Sequence, residues 1–382
     1  MQINVLPLLM ALMLLFFTGC VEEYWPEMNK YESVIVVDGL IHNGEGPYTI
    51  TLSRSARPDK PVFNGVANAQ VSIHDHLGAE VKLTALERGT YVTPAEFKAE
   101  AGILYQLQIV TAQGERYASD FESLPEPVGI DTVQAEVEYH TDPRGYYVKP
   151  GVQFYVSTEA AINDSACFYW RLTETFEFHA DFEIYYVFDQ GILREMLHRD
   201  SLRVCYRTLA IPEIFTYNTV NMNSPALVHF PLNFTDTESR RLSVRYSLLI
   251  DQYTVSQKHY TFWNSVEQQN DGQGGLYSTQ PFQIQGNMHC SSNPEQPVSG
   301  NFTVAGHTAM RIFVDPPIGV NYYYPECTID TSAMEEFYSI RSYPPLSWPV
   351  YATRDENGIP ALPNQSCMDC TVSGTLEKPD FW

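Results

Sequence analysis

Gly102-Ile103-Leu104-Tyr105-Gln106-Leu107-Gln108-Ile109-Val110 decides the fold. Apolar and polar residues alternate along it with a period of two, which makes one face of an extended chain apolar and leaves the other wet. Upstream, Tyr48-Thr49-Ile50-Thr51-Leu52-Ser53 and Ala69-Gln70-Val71-Ser72-Ile73-His74-Asp75 carry the same pattern. Ser33-Val34-Ile35-Val36-Val37-Asp38-Gly39-Leu40-Ile41 is more continuously apolar, as in a strand buried on both faces or docked in a sandwich core. Val81-Lys82-Leu83-Thr84, Gly89-Thr90-Tyr91-Val92 and Arg116-Tyr117-Ala118-Ser119 bring the count to about seven short strands separated by turn residues. Residues 33–124 therefore read as an Ig- or transthyretin-like β-sandwich.

Leu124-Pro125-Glu126-Pro127 follows. Alternate prolines cannot donate to a sheet ladder and stiffen the chain, so 125–129 reads as a linker. Residues 130–382 read as a larger β-sandwich domain. Its strands include Ile130-Asp131-Thr132-Val133-Gln134-Ala135-Glu136-Val137, the aromatic run from Phe168 to Phe178, and Leu242-Ser243-Val244-Arg245-Tyr246-Ser247-Leu248-Leu249-Ile250. One amphipathic helix is expected over 254–269, where Val255, His259, Phe262, Trp263 and Val266 recur at spacings of three and four. Residues 315–366 hold eight of the 25 prolines, together with Tyr322, Tyr323, Tyr324 and Trp348. So long a loop is usually functional or disordered, and its aromatic content speaks for order. These four aromatics are the candidate partner or ligand surface.

The first residues give the address. An apolar run from Val5 to Phe17 ends in Thr18-Gly19-Cys20. It is shorter than the ~20 residues a spanning helix needs. Small residues followed at once by Cys resemble a bacterial lipobox, with Phe17 where Leu is usual and no basic residue ahead of the run. Residues 1–19 then form a lipoprotein signal peptide, Cys20 the lipidation site, and 20–32 a tether. Glu22 and Glu23 resemble an acidic surface-export signal.

The formal charge of −23 disfavours nucleic acid and anionic headgroups. Six cysteines remain after Cys20: Cys167, Cys205, Cys290, Cys327, Cys367 and Cys370. An even number in an exported chain suits disulfides, and six cysteines allow about 15 pairings. Cys367-Met368-Asp369-Cys370 lacks the second ligand pair of a zinc site and the helix start of a redox motif, so it reads as half of a disulfide framework involving Cys327 and another upstream cysteine. His74-Asp75-His76 and His179-Ala180-Asp181 offer no assignable third ligand. No metallopeptidase, nucleophile-elbow or phosphate-loop motif occurs, so no catalytic residue, metal or cofactor is assigned.

The chain resembles the domain-of-unknown-function family numbered 4249, a group of Bacteroidota lipoproteins. The resemblance rests on Val36-Val37-Asp38-Gly39-Leu40-Ile41, the run from Gly46 to Ser55, Gly89-Thr90-Tyr91, Tyr169-Trp170-Arg171, Tyr260-Thr261-Phe262-Trp263, Gly286-Asn287 and Val298-Ser299-Gly300-Asn301-Phe302. It extends to the Cys367–Cys370 stretch and to Pro379-Asp380-Phe381-Trp382, although Thr371 stands where the family often has Arg. The resemblance implies an outer-membrane, lipid-anchored protein at the cell surface, non-enzymatic, and partner to a TonB-dependent outer-membrane receptor. A structural or adhesive surface protein is the alternative. A hydrolase with an unrecognised site ranks third.

Overall fold

The computed structural model describes residues 33–56, 62–142, 145–161, 165–220, 226–271, 284–329 and 334–382. The signal segment, the tether and Cys20 lie outside them. The organising strands are β1 (Ile35–His42), β2 (Thr49–Arg54), β3 (Gln70–Asp75), β4 (Leu104–Val110), β5 (Arg116–Ser119), β6 (Ile130–Thr141), β7 (Val148–Thr158), β8 (Cys167–His179), β9 (Val204–Asn218), β10 (Phe230–Asp236), β11 (Arg245–Val255) and β12 (Val298–Val314). Two helices, α1 (Gln257–Asp271) and α2 (Met334–Ser339), accompany them.

One nine-stranded sheet runs β9-β8-β11-β12-β1-β2 and continues through Thr90–Val92 to Thr84–Ala85. Two smaller sheets cover its two halves. The first, built on β5, β4 and β3, packs on the β1 end, where Val71, Ile73, Leu107 and Ile109 meet Ile35, Val37, Ile50 and Leu52. The second, β6-β7-β10, packs on the other end, where Val152, Phe154 and Val156 meet Phe168, Trp170, Leu172, Leu248 and Ile250. The molecule is mainly β and sandwich-like, as its alternating runs require.

β12 is the seam between the halves. Its first part pairs in parallel with β1, from Ile35 opposite Val298 to His42 opposite Ala305. Its second part pairs antiparallel with β11, from Thr254 opposite Gly306 to Tyr246 opposite Val314. The strand Met288–Cys290 likewise joins β5. Residues late in the chain thus complete the sandwich read over 33–124, and the 125–129 stretch lies against the seam. A Cβ on Gly306 would come within 2.6 Å of the Pro125 carbonyl oxygen and 2.7 Å of the Pro127 nitrogen. The Val128 carbonyl accepts from Gln252 Nε2 at 2.8 Å and Thr308 Oγ1 at 2.9 Å.

The helix begins at Gln257, not Thr254. Thr254 and Val255 stay in β11, opposite Phe168 and Cys167 on β8, and the sheet ladder wins over helical periodicity there. Trp263 still faces inward and stacks on Tyr169 with ring centroids 4.6 Å apart. Within 315–366 the chain is more regular than a loop. Val350–Arg354 and Pro360–Ala361 join Tyr186–Asp189 and Ile192–Glu195 in a four-stranded sheet, with Phe188, Phe337, Ile340 and Val350 as its own small core.

Candidate functional site

The ends of β8 and β9 floor a cavity of about 720 Å³. Phe176 and Phe178 face into it because they continue the inward alternation of Trp170 and Leu172 along β8. Across the ladder, Arg207 lies opposite Phe176, and Cys205 lies opposite Phe178. The walls are residues 239–241, 325–328 and 364–367. Two disulfides tie these parts together. Cys205, buried in the sheet opposite Phe178, bonds Cys370, and Cys327 on one wall bonds Cys367 on another. The cavity is therefore a stapled, preformed cleft on a rigid sheet.

Its three arginines stand in different situations. Arg240 grips Asp181 through two hydrogen bonds of 2.7 and 2.5 Å, donates to the His179 carbonyl at 3.0 Å, and sits 4.9 Å over the Tyr324 ring. The Asp181 hydrogen bonds hold its charge more firmly than that of a free arginine. Arg241 Nε lies 3.0 Å from Glu174 Oε1. Glu174 is buried within the sandwich and also accepts from the Tyr246 hydroxyl at 3.1 Å. Burial pushes its carboxyl above the usual carboxylate range, against the pull of Arg241 and Tyr246. Arg207 is exposed and has no partner among the described residues.

The residues singled out in the sequence divide between this cleft and the scaffold. Tyr322 is half-buried and donates to the Leu242 carbonyl at 3.0 Å, and Tyr324 carries Arg240, so both brace the wall. Tyr323 is the one of the three that faces out, 58% exposed. Trp348 is half-buried and packs edge-on against Phe188 at 5.6 Å, at the side of the small core. Cys167 and Cys290 are buried free thiols and not disulfide partners. Cys167 instead meets Gln257 Oε1 at 3.3 Å under α1, and Cys290 meets Ser292 Oγ at 3.3 Å.

His74 and His76 are not presented together. β3 ends at Asp75, and His76 Nδ1 turns away to accept from the Leu104 amide at 3.0 Å. His179 pairs with Glu177 at 2.9 Å. Asp181, Cys327 and Cys367 do bring ligand atoms within 4.8 Å of one another, but the two sulfurs are bonded to each other and Asp181 is taken by Arg240. The sequence reading passed over Arg207, Arg240 and Arg241. The adjacent Arg240-Arg241 in so acidic a chain was the available signal.

A second polar cluster bolts α1 to the first sandwich. Glu122 accepts from Asn287 Nδ2 at 3.0 Å and lies 3.3 Å from His259 Nε2 and 3.5 Å from Lys258 Nζ. Burial alone would raise its carboxyl, but these partners outweigh burial and hold it below the usual range. The stretch 379–382 packs similarly on the sheet. Trp382 lies against Tyr206 and Phe313, its Nε1 donating to Glu177 Oε2 at 3.2 Å.

A family model described as Domain of unknown function (DUF4249) matches residues 21–311. The chain belongs to this family. The match ends before residues 325–328 and 364–367, so two walls of the cleft in this DUF4249 protein lie beyond the matched span, as does the Cys367–Cys370 stretch. No curated protein matches the chain. Among solved structures, a DUF4785 family protein from Legionella pneumophila subsp. pneumophila is similar at 10% identity, with a TM-score of 0.18. That overlap covers 58% of this chain and 52% of the other, so the chain spans about half the length of that protein.

Proposed function

We propose that this DUF4249 protein is a surface-exposed outer-membrane lipoprotein, anchored through Cys20, that serves as an accessory or ligand-binding partner of a TonB-dependent transporter. The observation that carries this reading is the cleft over β8 and β9. It is about 720 Å³ in volume, with one disulfide, Cys327–Cys367, in its walls and another, Cys205–Cys370, close by, and disulfides persist in an oxidising compartment. A volume in the ~300–1,000 Å³ range suits a small ligand. The lipobox-like Thr18-Gly19-Cys20 and the acidic tether support the anchoring. Cys20→Ala should move the protein from the membrane to the soluble fraction on cell fractionation. Retention of that variant in the membrane would remove the lipid anchor from the account.

A second reading, adhesion, has its own observation. The β6–β7 hairpin carries exposed aromatics, Tyr139, Tyr146 and Tyr147, with Tyr146 82% exposed. A deletion strain that keeps its growth on every tested nutrient but loses attachment would favour that reading.

A further inference from the structure

The cleft combines three kinds of lining. Leu209 is half-buried and, with the edges of the largely buried Phe176 and Phe178, gives an apolar floor. Arg207 and Arg241 give cations that are not fully used. Arg207 has no partner among the described residues, and Arg241 spends only its Nε, on Glu174. Glu326, on the loop that forms one wall, has no partner among the described residues either. Ser239 also lines the cleft, and its hydroxyl is buried without a hydrogen bond.

Guanidinium groups beside an apolar surface are matched by a carboxylate, which they bind in a planar, charge-assisted fork. Inorganic phosphate would satisfy the arginines and leave the apolar floor around Leu209 uncovered. A fatty acid would cover that floor but bring no cation to Glu326. Resting on the reading of this cleft as a ligand site, we infer that it binds a short apolar peptide through a free C-terminal carboxylate. Arg207 and Arg241 take the carboxylate, Phe176, Phe178 and Leu209 take the side chains, and Glu326 takes the amino group. The cleft volume of about 720 Å³ has room for a dipeptide with two bulky side chains.

The test is calorimetric titration of the full-length protein, in detergent, with the dipeptide Leu-Phe, its C-terminal amide and its N-acetyl form. The amide should bind roughly 10-fold or more weakly than the free acid, the loss expected when a charged hydrogen-bond acceptor is removed. Arg207→Gln should weaken binding of the acid several-fold, with Arg241 still in place, and leave the amide unchanged. The Arg207 side chain is exposed and has no partner among the described residues, so its replacement leaves the backbone ladder with Phe176 in place, and Arg207→Lys should give an intermediate affinity. Acetylation should weaken binding in the wild type and not in Glu326→Gln. Equal binding of acid and amide, an Arg207→Gln variant that keeps the wild-type ratio, or no binding of any of the three would overturn the inference. None of those results touches association with a transporter, which is measured separately.

Discussion

Cys367 and Cys370 sit three residues apart, yet bond to cysteines on different segments. A turn of 3-10 helix over Gln365–Cys367 and another over Cys370–Val372 aim the two sulfurs apart, with Met368 buried between them. The even count of cysteines after Cys20 was legible in the sequence, and so was a role for Cys327. The choice of pairs was not, because proximity comes from the sheet and not from spacing. Cys167 and Cys290 remain unpaired inside separate cores. Burial raises the Cys167 thiol to about 11. Alkylation of the native protein should therefore leave both unmodified, and alkylation after unfolding without reductant should label two thiols beyond Cys20. Rapid native labelling of either would contradict their burial.

His42 sets a pH dependence at the same scale. Its Nδ1 accepts from the Gly44 amide at 3.0 Å, and its ring lies 4.2 Å from that of His307, which pairs with Asp251 at 2.8 Å. Burial, helped by His307 and opposed by Asp251, lowers its pKa from 6.5 to about 4. Between those values the unfolded chain binds a proton that the folded chain refuses, so stability falls as pH drops from about 6.5 toward 4. Urea midpoints measured across that window should decline in the wild type and decline less in His42→Gln. Parallel profiles for the two proteins would rule out His42 as the cause.

Among elements, β12 carries most of the architecture. Its alternation was readable, and so were most of the strands, because a half-buried strand must repeat every two residues. Its partners were not readable. A parallel pairing between β1 and a strand that begins at Val298 leaves no local signal, and the prolines at 125 and 127 read as a boundary although they pack on the seam. The overlap of β11 with the expected helix has the same origin, since the pull of β8 on Thr254 and Val255 is invisible to periodicity. Gly306 is where the seam shows its tightness. Gly306→Ala places a methyl group against backbone atoms of Pro125 and Pro127 and should cost about 1–3 kcal/mol, read from denaturant unfolding. An unchanged midpoint would mean that the Pro125–Pro127 segment yields without cost.

At the scale of the molecule, one sheet shared by two sandwiches leaves little freedom between its halves, and the cleft sits at the far end of it, on β8 and β9. The Pro- and Tyr-rich stretch reaches this end of the sheet, where Pro325 to Thr328 and Asn364 and Ser366 line the cleft. The arginines that give the cleft its chemistry were hidden by a net charge of −23, which describes the whole surface and no single site. A rigid frame and a stapled cleft, joined to the lipid tether proposed at Cys20, would suit work beside a membrane partner. The direct test is to recover the tagged protein from outer membranes in mild detergent and quantify what accompanies it by mass spectrometry. A TonB-dependent receptor should accompany it in stoichiometric amount. The tagged protein recovered alone, from membranes shown to contain that receptor intact, would contradict that association.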